Sequence, residues 1–129
     1  MSTDWGTDMG NVIEAGEGVL LVEDDPLIAW DINDQLAEFG FDKVYLAYNL
    51  AAAHECLKSN AILFAVLDVN LGNELVFPFA AALCEKGIPF VFCTAQCAEY
   101  LPSEWTQHPV ISKPFDGRRF QRVLPALLG

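Results

Sequence analysis

Basic side chains are scarce in this sequence. Seven lysines and arginines stand against 18 aspartates and glutamates, which gives the chain a formal charge of −11 at pH 7. Nucleic acids and anionic membranes are bound mainly through cationic surface, so we expect neither as a partner. The negative excess favours basic or cation-bearing partners, and part of it is available to a metal site.

Long apolar segments and paired cysteine motifs are also absent. No run approaches the roughly 20 apolar residues of a membrane span, and the first residues lack the basic and apolar regions of a signal peptide. We interpret the cysteines as buried thiols in a reducing compartment, because they contain no CxxC pair. These features predict a cytoplasmic protein. The cysteines are Cys56, Cys84, Cys93 and Cys97.

Hydrophobic side chains are abundant instead. They make up 53% of the 129 residues, and aromatic side chains make up 12%, a composition that argues against disorder. The length fits one domain with one core. Residues 1–17 are polar and glycine-rich without an apolar period. We therefore expect a flexible tail at residues 1–17 and a folded domain at residues 18–129.

Four apolar runs stop abruptly at polar residues, a pattern typical of strands buried on both faces of a parallel sheet. Such strands deliver the polar residues to the carboxyl edge of the sheet, where ligands collect in α/β proteins. The runs are residues 19–22 before Glu23, Asp24 and Asp25, residues 64–67 before Asp68, residues 89–93 before Thr94 and Ala95, and residues 110–112 before Lys113 and Pro114.

Segments with helical spacing alternate with these runs. Asp25 and Pro26 predict an N-cap and a first helical residue, and apolar residues then repeat at helical spacing up to Gly40. The other predicted elements are a strand at residues 43–48, helices at residues 50–58, before Gly87 and after Asp116, and short helical turns within residues 94–110. A glycine-containing loop at residues 69–74 is predicted between Asp68 and the helix before Gly87. The alternation predicts an α/β fold, a doubly wound five-stranded parallel sheet.

Three carboxylates, those of Glu23, Asp24 and Asp68, are expected to meet at the ends of two strands. Like charges this close need a compensating cation. Mg²⁺ is the natural occupant, because it prefers oxygen ligands and takes one or two carboxylates. Taken alone, Glu23, Asp24 and Asp25 could instead be acids near the positive end of a helix dipole. Asp68 at a second strand end favours the metal site.

Phosphoryl chemistry fits the same edge of the sheet. A carboxylate beside a metal can attack a phosphoryl group and form an aspartyl phosphate. The remaining phosphoryl oxygens then need donors. Thr94 offers a hydroxyl, Ala95 a backbone N–H and Lys113 a positive charge. Their joint placement on successive strands predicts a phosphoryl site.

Over residues 19–128, the sequence resembles the receiver domain of two-component response regulators, because the residues at the four strand ends match motifs of that family. The resemblance implies a flavodoxin-like fold with strand order 2-1-3-4-5. The matching motifs are Leu21-Val22-Glu23-Asp24-Asp25-Pro26, Leu67-Asp68-Val69-Asn70, Thr94-Ala95 and Lys113-Pro114-Phe115.

The resemblance also implies a role for each motif residue. Asp68 resembles the phosphoacceptor, Asp24 the direct Mg²⁺ ligand, Glu23 a ligand acting through water and Asn70 a ligand through its backbone carbonyl. Thr94 and Lys113 resemble the phosphate-contacting pair, and the Lys113–Pro114 bond matches one that is cis in the family.

The sequence departs from the common receiver pattern near its output end. Val110 stands where receivers usually carry the aromatic partner of the threonine. Residues 89–94 are similar to a subgroup of stand-alone receivers with a Phe-Ala-Thr-Gly motif, which Cys93, Ala95 and Gln96 interrupt. We expect the output surface at residues 96–110 with the facing side of the last helix. Tyr100, Leu101 and Trp105 are expected to be exposed there.

The resemblance implies a single-domain response regulator. It would accept a phosphoryl group on Asp68 from a histidine kinase or a histidine phosphotransfer protein, then bind a downstream protein partner or act as a phosphate sink. It would not be an enzyme beyond self-catalysed phosphorylation and dephosphorylation. One alternative is an aspartyl-phosphate hydrolase of the haloacid dehalogenase type, which needs an aspartate where this chain has Asn70. A receiver-like scaffold that is not phosphorylated is the other alternative.

Overall fold

The computed structural model describes residues 17–95 and 101–128. The predicted flexible tail lies outside the described residues, except for Glu17. Glu17 is the first residue of a strand and pairs with Ala61, so this strand begins two residues before the predicted run. None of the helices in the described ranges combines the length and the apolar character needed to cross a lipid bilayer.

Five parallel strands form the main sheet, and when they are numbered along the chain their order in the sheet is 2-1-3-4-5. This order confirms the predicted doubly wound, flavodoxin-like topology. The register places Leu67 beside Val22, Cys93 beside Asp68 and Ser112 beside Thr94. The residues that follow these strands therefore meet at one edge. The strands are β1 (Glu17–Val22), β2 (Val44–Ala47), β3 (Ala61–Asp68), β4 (Phe90–Thr94) and β5 (Val110–Ser112).

Four α-helices accompany the sheet in the described part of the chain. The first is capped by Asp25, whose carboxylate accepts a hydrogen bond from the Leu27 N–H at 2.9 Å, and Gly40 follows its end with a φ of 95°. Both features match the sequence-based expectation. The helices are α1 (Pro26–Glu38), α2 (Leu50–Ser59), α3 (Phe77–Glu85) and α4 (Gly117–Leu128), with a 3₁₀ turn at Ser103–Trp105.

The helices cover both faces of the sheet and form two buried clusters. Alternate residues of β1 point to opposite faces. Leu20 packs in the cluster that contains α2 and α3, whereas Leu21 packs in the cluster that contains α1 and α4. This double burial explains why the strands are continuous apolar runs.

Two local features differ from expectation. The glycine-containing loop after Asp68 forms a short antiparallel hairpin, Asn70–Leu71 with Glu74–Leu75. Leu101 and Trp105, which we expected to be exposed, are 7% and 9% exposed. Trp105 stacks on Phe77 with ring centroids 5.8 Å apart. Tyr100 lies outside the described residues.

Candidate functional site

Three acidic side chains converge at the carboxyl edge of the sheet. Glu23, Asp24 and Asp68 each offer one oxygen, and these oxygens lie within 4.8 Å of one another. Glu23 follows β1 and Asp68 ends β3, its neighbour in the sheet. Glu23 is 2% exposed and Asp68 is 5% exposed, whereas Asp24 is exposed. The structure therefore brings the predicted acids together, two buried and one open to water.

Lys113 enters this cluster from the end of β5. Its Nζ lies 2.7 Å from Glu23 Oε1 and 3.2 Å from Asp68 Oδ2. Its backbone N–H donates to the Thr94 carbonyl at 2.9 Å. The peptide bond between Lys113 and Pro114 is cis. One ammonium group thus contacts both buried carboxylates.

Burial shapes the acid–base chemistry of this cluster. It raises the pKa of Glu23 to about 7, although Lys113 acts in the opposite direction. Burial also raises the pKa of Asp68 above its ordinary value. Burial alone would lower the pKa of Lys113, but its hydrogen bond and charge interaction with the two acids raise it overall. One lysine therefore compensates the acids incompletely, and a further cation would stabilise their ionised forms.

Backbone donors hold both buried carboxylates in place. The Asp25 N–H donates to Glu23 Oε2 at 3.1 Å, and the Asn70 N–H donates to Asp68 Oδ1 at 3.3 Å. Asn70 opens the hairpin that follows β3. Gly72 at its turn has a φ of 65°, and a Cβ there would lie 3.8 Å from Asp24 Oδ2. The hairpin turn therefore lies over the exposed member of the acid cluster.

Thr94 is the last residue of β4, the strand next to β3, and Ala95 follows it. Thr94 is 1% exposed and pairs with Ser112, the residue before Lys113. Ala95 is exposed. Cys93 pairs with Asp68, and burial raises the pKa of its thiol to about 12. This thiol is therefore protonated near neutral pH and is not a nucleophile.

The donor set fits Mg²⁺. Glu23, Asp24 and Asp68 supply hard carboxylate oxygens that are close enough to share one ion. Asp24 is exposed, which leaves room for the waters that Mg²⁺ usually keeps. Asn70 is the fourth predicted metal ligand. It lies next to the acid cluster, because its backbone N–H donates a hydrogen bond to Asp68.

An apolar groove beside Lys113 was missed in the sequence. It has a volume of about 460 Å³ and runs between the start of α1 and the segment after β5. Leu27 on its wall is 83% exposed. Leu27 directly follows Pro26 and is out of phase with the buried residues Ile32 and Leu36, so its position was a signal for an exposed apolar side chain. The groove is lined by Leu27, Ile28, Asp31, Ala95, Lys113, Pro114 and Phe115.

No protein-family model and no curated protein matches the sequence. Solved structures do match. SdrG from Sphingomonas melonis Fr1 is 37% identical, with 91% of this chain and 100% of that chain covered at a TM-score of 0.75. A response regulator receiver protein from Sinorhizobium medicae WSM419 is 24% identical, with 88% and 95% covered at a TM-score of 0.74. SdrG is one of the response regulator receiver domains among the matching structures, and its 37% identity over nearly the whole of both chains shows that this chain belongs to the response regulator receiver family.

More distant receivers share the fold of this receiver. A CheY-like response regulator receiver domain from Methylobacillus flagellatus is 19% identical, with 88% of this chain and 99% of that chain covered at a TM-score of 0.75. The family assignment makes this chain a signalling domain with a response regulator role.

Proposed function

We propose that this receiver accepts a phosphoryl group on Asp68 with the help of Mg²⁺, from a histidine kinase or a histidine phosphotransfer protein. The observation that supports this most directly is the position of Lys113, with its Nζ 3.2 Å from Asp68 and 2.7 Å from Glu23. A buried carboxylate, a fixed cation and a neighbouring hydroxyl residue at one strand edge are what an aspartyl phosphate needs.

The transfer is a displacement at phosphorus. A carboxylate oxygen of Asp68 forms a bond to phosphorus while the phosphorus–nitrogen bond of the donor phosphohistidine breaks. The departing imidazole nitrogen keeps the bonding electron pair and takes up a proton from water. When bound, Mg²⁺ neutralises the carboxylates and the phosphoryl oxygens. Glu23, Asp24, Asp68 and the Asn70 carbonyl would hold it.

Three groups of the chain would stabilise the phosphoryl oxygens. Lys113 would contact one oxygen with its ammonium group, and Thr94 and the Ala95 N–H would donate to the others. Thr94 and Lys113 are already linked through their backbones. Phosphorylation of Asp68 would therefore affect the ends of β4 and β5 at the same time.

The apolar groove gives the donor protein a place to bind next to Lys113. Leu27 and, one turn later on α1, Trp30 are 83% and 65% exposed. Exposed apolar side chains of this size at the rim of a functional site are typical of protein contacts. A donor that covers them would present its phosphohistidine close to Asp68.

The phosphorylated receiver would bind a downstream protein partner, or it would act as a phosphate sink. The output surface would include residues 96–110 and the facing side of α4. Val110 cannot act as a switching aromatic, so movement would involve the segment that Trp105 holds on the sheet through Phe90 and Phe92.

Cys56, Cys84 and Cys93 are free thiols, of which Cys93 is buried as expected, whereas Cys56 is half-buried and Cys84 is exposed, contrary to expectation. We infer a location in the reducing cytoplasm from these unpaired thiols.

Neither alternative function gains support from an observation. A haloacid dehalogenase hydrolase would need a general acid where this chain has Asn70, and Asn70 uses its N–H to hold Asp68. A scaffold with a decayed site would not keep Lys113 between two buried acids.

Phosphorylation of Asp68 is the test. The protein with Mg²⁺ and either acetyl phosphate or a phosphorylated histidine phosphotransfer protein should gain one phosphoryl group by intact mass spectrometry. Asp68→Asn should stay folded and gain none. Asp42→Asn, at an exposed aspartate outside the site, is the matched control and should behave like the wild type. A phosphoryl group on the Asp68→Asn variant would refute the assignment.

A further inference from the structure

Gln35 connects α1 to the segment that carries Lys113. Its Nε2 donates to the Phe115 carbonyl at 3.1 Å, across 80 positions of sequence. The same nitrogen donates to Asp31 Oδ2 at 3.1 Å. Gln35 is half-buried. Its bond to the Phe115 carbonyl is partly buried, whereas its bond to Asp31 is exposed.

Gly117, the first residue of α4, lies beside Gln35. A Cβ at Gly117 would lie 3.4 Å from Gln35 Oε1 and 3.4 Å from the Phe39 ring. These are van der Waals contact distances, so the start of α4 packs directly against Gln35 and Phe39.

The Gln35 hydrogen bond is one of three anchors on the short segment after β5. The Lys113 N–H donates to the Thr94 carbonyl at 2.9 Å. The Phe115 ring is 5% exposed and packs 5.4 Å from the Phe120 ring. The Phe115 carbonyl is held by Gln35. Two anchors belong to the sheet and the core, and the third comes from α1.

We propose that Gln35 is a positioning residue for Lys113. By holding the Phe115 carbonyl, it keeps the Lys113 ammonium within reach of Asp68 and Glu23. This proposal rests on the proposed function, since Lys113 would act on the phosphoryl group. Gln35 lies on the helix that also carries two residues of the groove, the exposed Leu27 and the half-buried Ile28. A partner that shifts α1 would therefore act on Lys113 through Gln35.

Phosphorylation rates with acetyl phosphate and Mg²⁺ test the proposal. Gln35→Met keeps the length of the side chain and removes the donor. We expect the rate to fall about three- to tenfold, the effect of one neutral hydrogen bond. Gln35→Lys restores a donor that can reach the Phe115 carbonyl, and it should recover most of the rate. Gln121→Met makes the same chemical change at an exposed position of α4 and should leave the rate unchanged.

A double-mutant cycle separates positioning from general destabilisation. In a Lys113→Ala background, Gln35→Met should change the remaining rate less than twofold, because the group it positions is gone. An equal loss in both backgrounds would overturn the proposal. If Gln35→Met does not fold by circular dichroism, Gln35→Lys decides instead. A folded Gln35→Lys variant whose rate is about three- to tenfold below that of the wild type would overturn the proposal. Wild-type protein that accepts no phosphate would overturn the proposed function itself, whereas normal acceptance by Gln35→Met would overturn only the role of Gln35.

Discussion

Burial gives Glu23 and Asp24 different chemistry, although they are neighbours in sequence. Glu23 is 2% exposed and contacts the Lys113 ammonium at 2.7 Å. Asp24 is exposed and has an oxygen within 4.8 Å of those of Glu23 and Asp68. Mg²⁺ keeps several of its waters when it binds to protein carboxylates. Asp24 is therefore the acid best placed to bind a hydrated ion without breaking the buried ion pairs.

Asp24→Asn should lose most of the Mg²⁺ affinity, because it removes one negative charge at the solvent-facing side of the site. We expect a decrease of at least about tenfold, which is the scale of losing one charged ligand. Trp30 is 65% exposed on the helix that begins two residues after Asp24, so its fluorescence can follow the titration. Asp42→Asn is the control of equal charge. Equal Mg²⁺ affinity in Asp24→Asn and the wild type would contradict the ligand assignment.

At the scale of elements, regular periodicity was predictable and irregular packing was not. Asp25 and Pro26 predicted the start of α1 because capping depends on local sequence. The uninterrupted apolar run predicted β3 up to Asp68 because both faces of that strand are buried. The exposure expected for Trp105 was wrong, since its burial depends on three rings from two other elements, α3 and β4. Those rings are Phe77, Phe90 and Phe92.

Trp105 should hold the segment between β4 and β5 on the sheet. It is the largest side chain of the 3₁₀ turn at Ser103–Trp105 and is 9% exposed. Trp105→Ala would remove a buried aromatic ring and leave a cavity, so the free energy of unfolding should fall by about 3 kcal/mol. Urea denaturation followed by circular dichroism measures this change.

Trp30→Ala is the matched comparison for that experiment. Trp30 is 65% exposed, so its removal should change the free energy of unfolding by less than about 0.5 kcal/mol. Equal effects of the two substitutions would show that Trp105 does not contribute as a packed side chain.

At the scale of the whole molecule, the topology of the sheet explains why part of the site could be predicted from the sequence. Asp68, Thr94 and Lys113 could be assigned to one edge because they follow parallel strands, and those strands are adjacent in the sheet. The position of Leu27 indicated an exposed apolar side chain, but the role of Gln35 and the shape of the apolar groove could not be predicted. They depend on how α1 packs against the segment after β5, across 80 positions of sequence, and local pattern carries no information on such a contact.

The stability of the metal-free protein should depend on pH through Glu23. Burial raises the pKa of Glu23 from 4.5 to about 7 in the folded protein. Between these values the folded state holds a proton that the unfolded state has released, so stability falls as pH rises. Asp68 acts in the same direction. The raised pKa of Lys113 stabilises the fold until pH rises through its own, higher range, so it does not contribute to the slope in this window.

We therefore expect the metal-free protein to be more stable at pH 5.5 than at pH 7.5, by on the order of 1–3 kcal/mol. Thermal unfolding in a chelator measures this slope. Glu23→Gln should flatten it, because the amide does not titrate, and saturating Mg²⁺ should raise the melting temperature most at pH 7.5, where the carboxylates are ionised and bind the ion. Stability that rises with pH between 5.5 and 7.5 in the metal-free wild type would show that Glu23 is not a buried acid with a raised pKa.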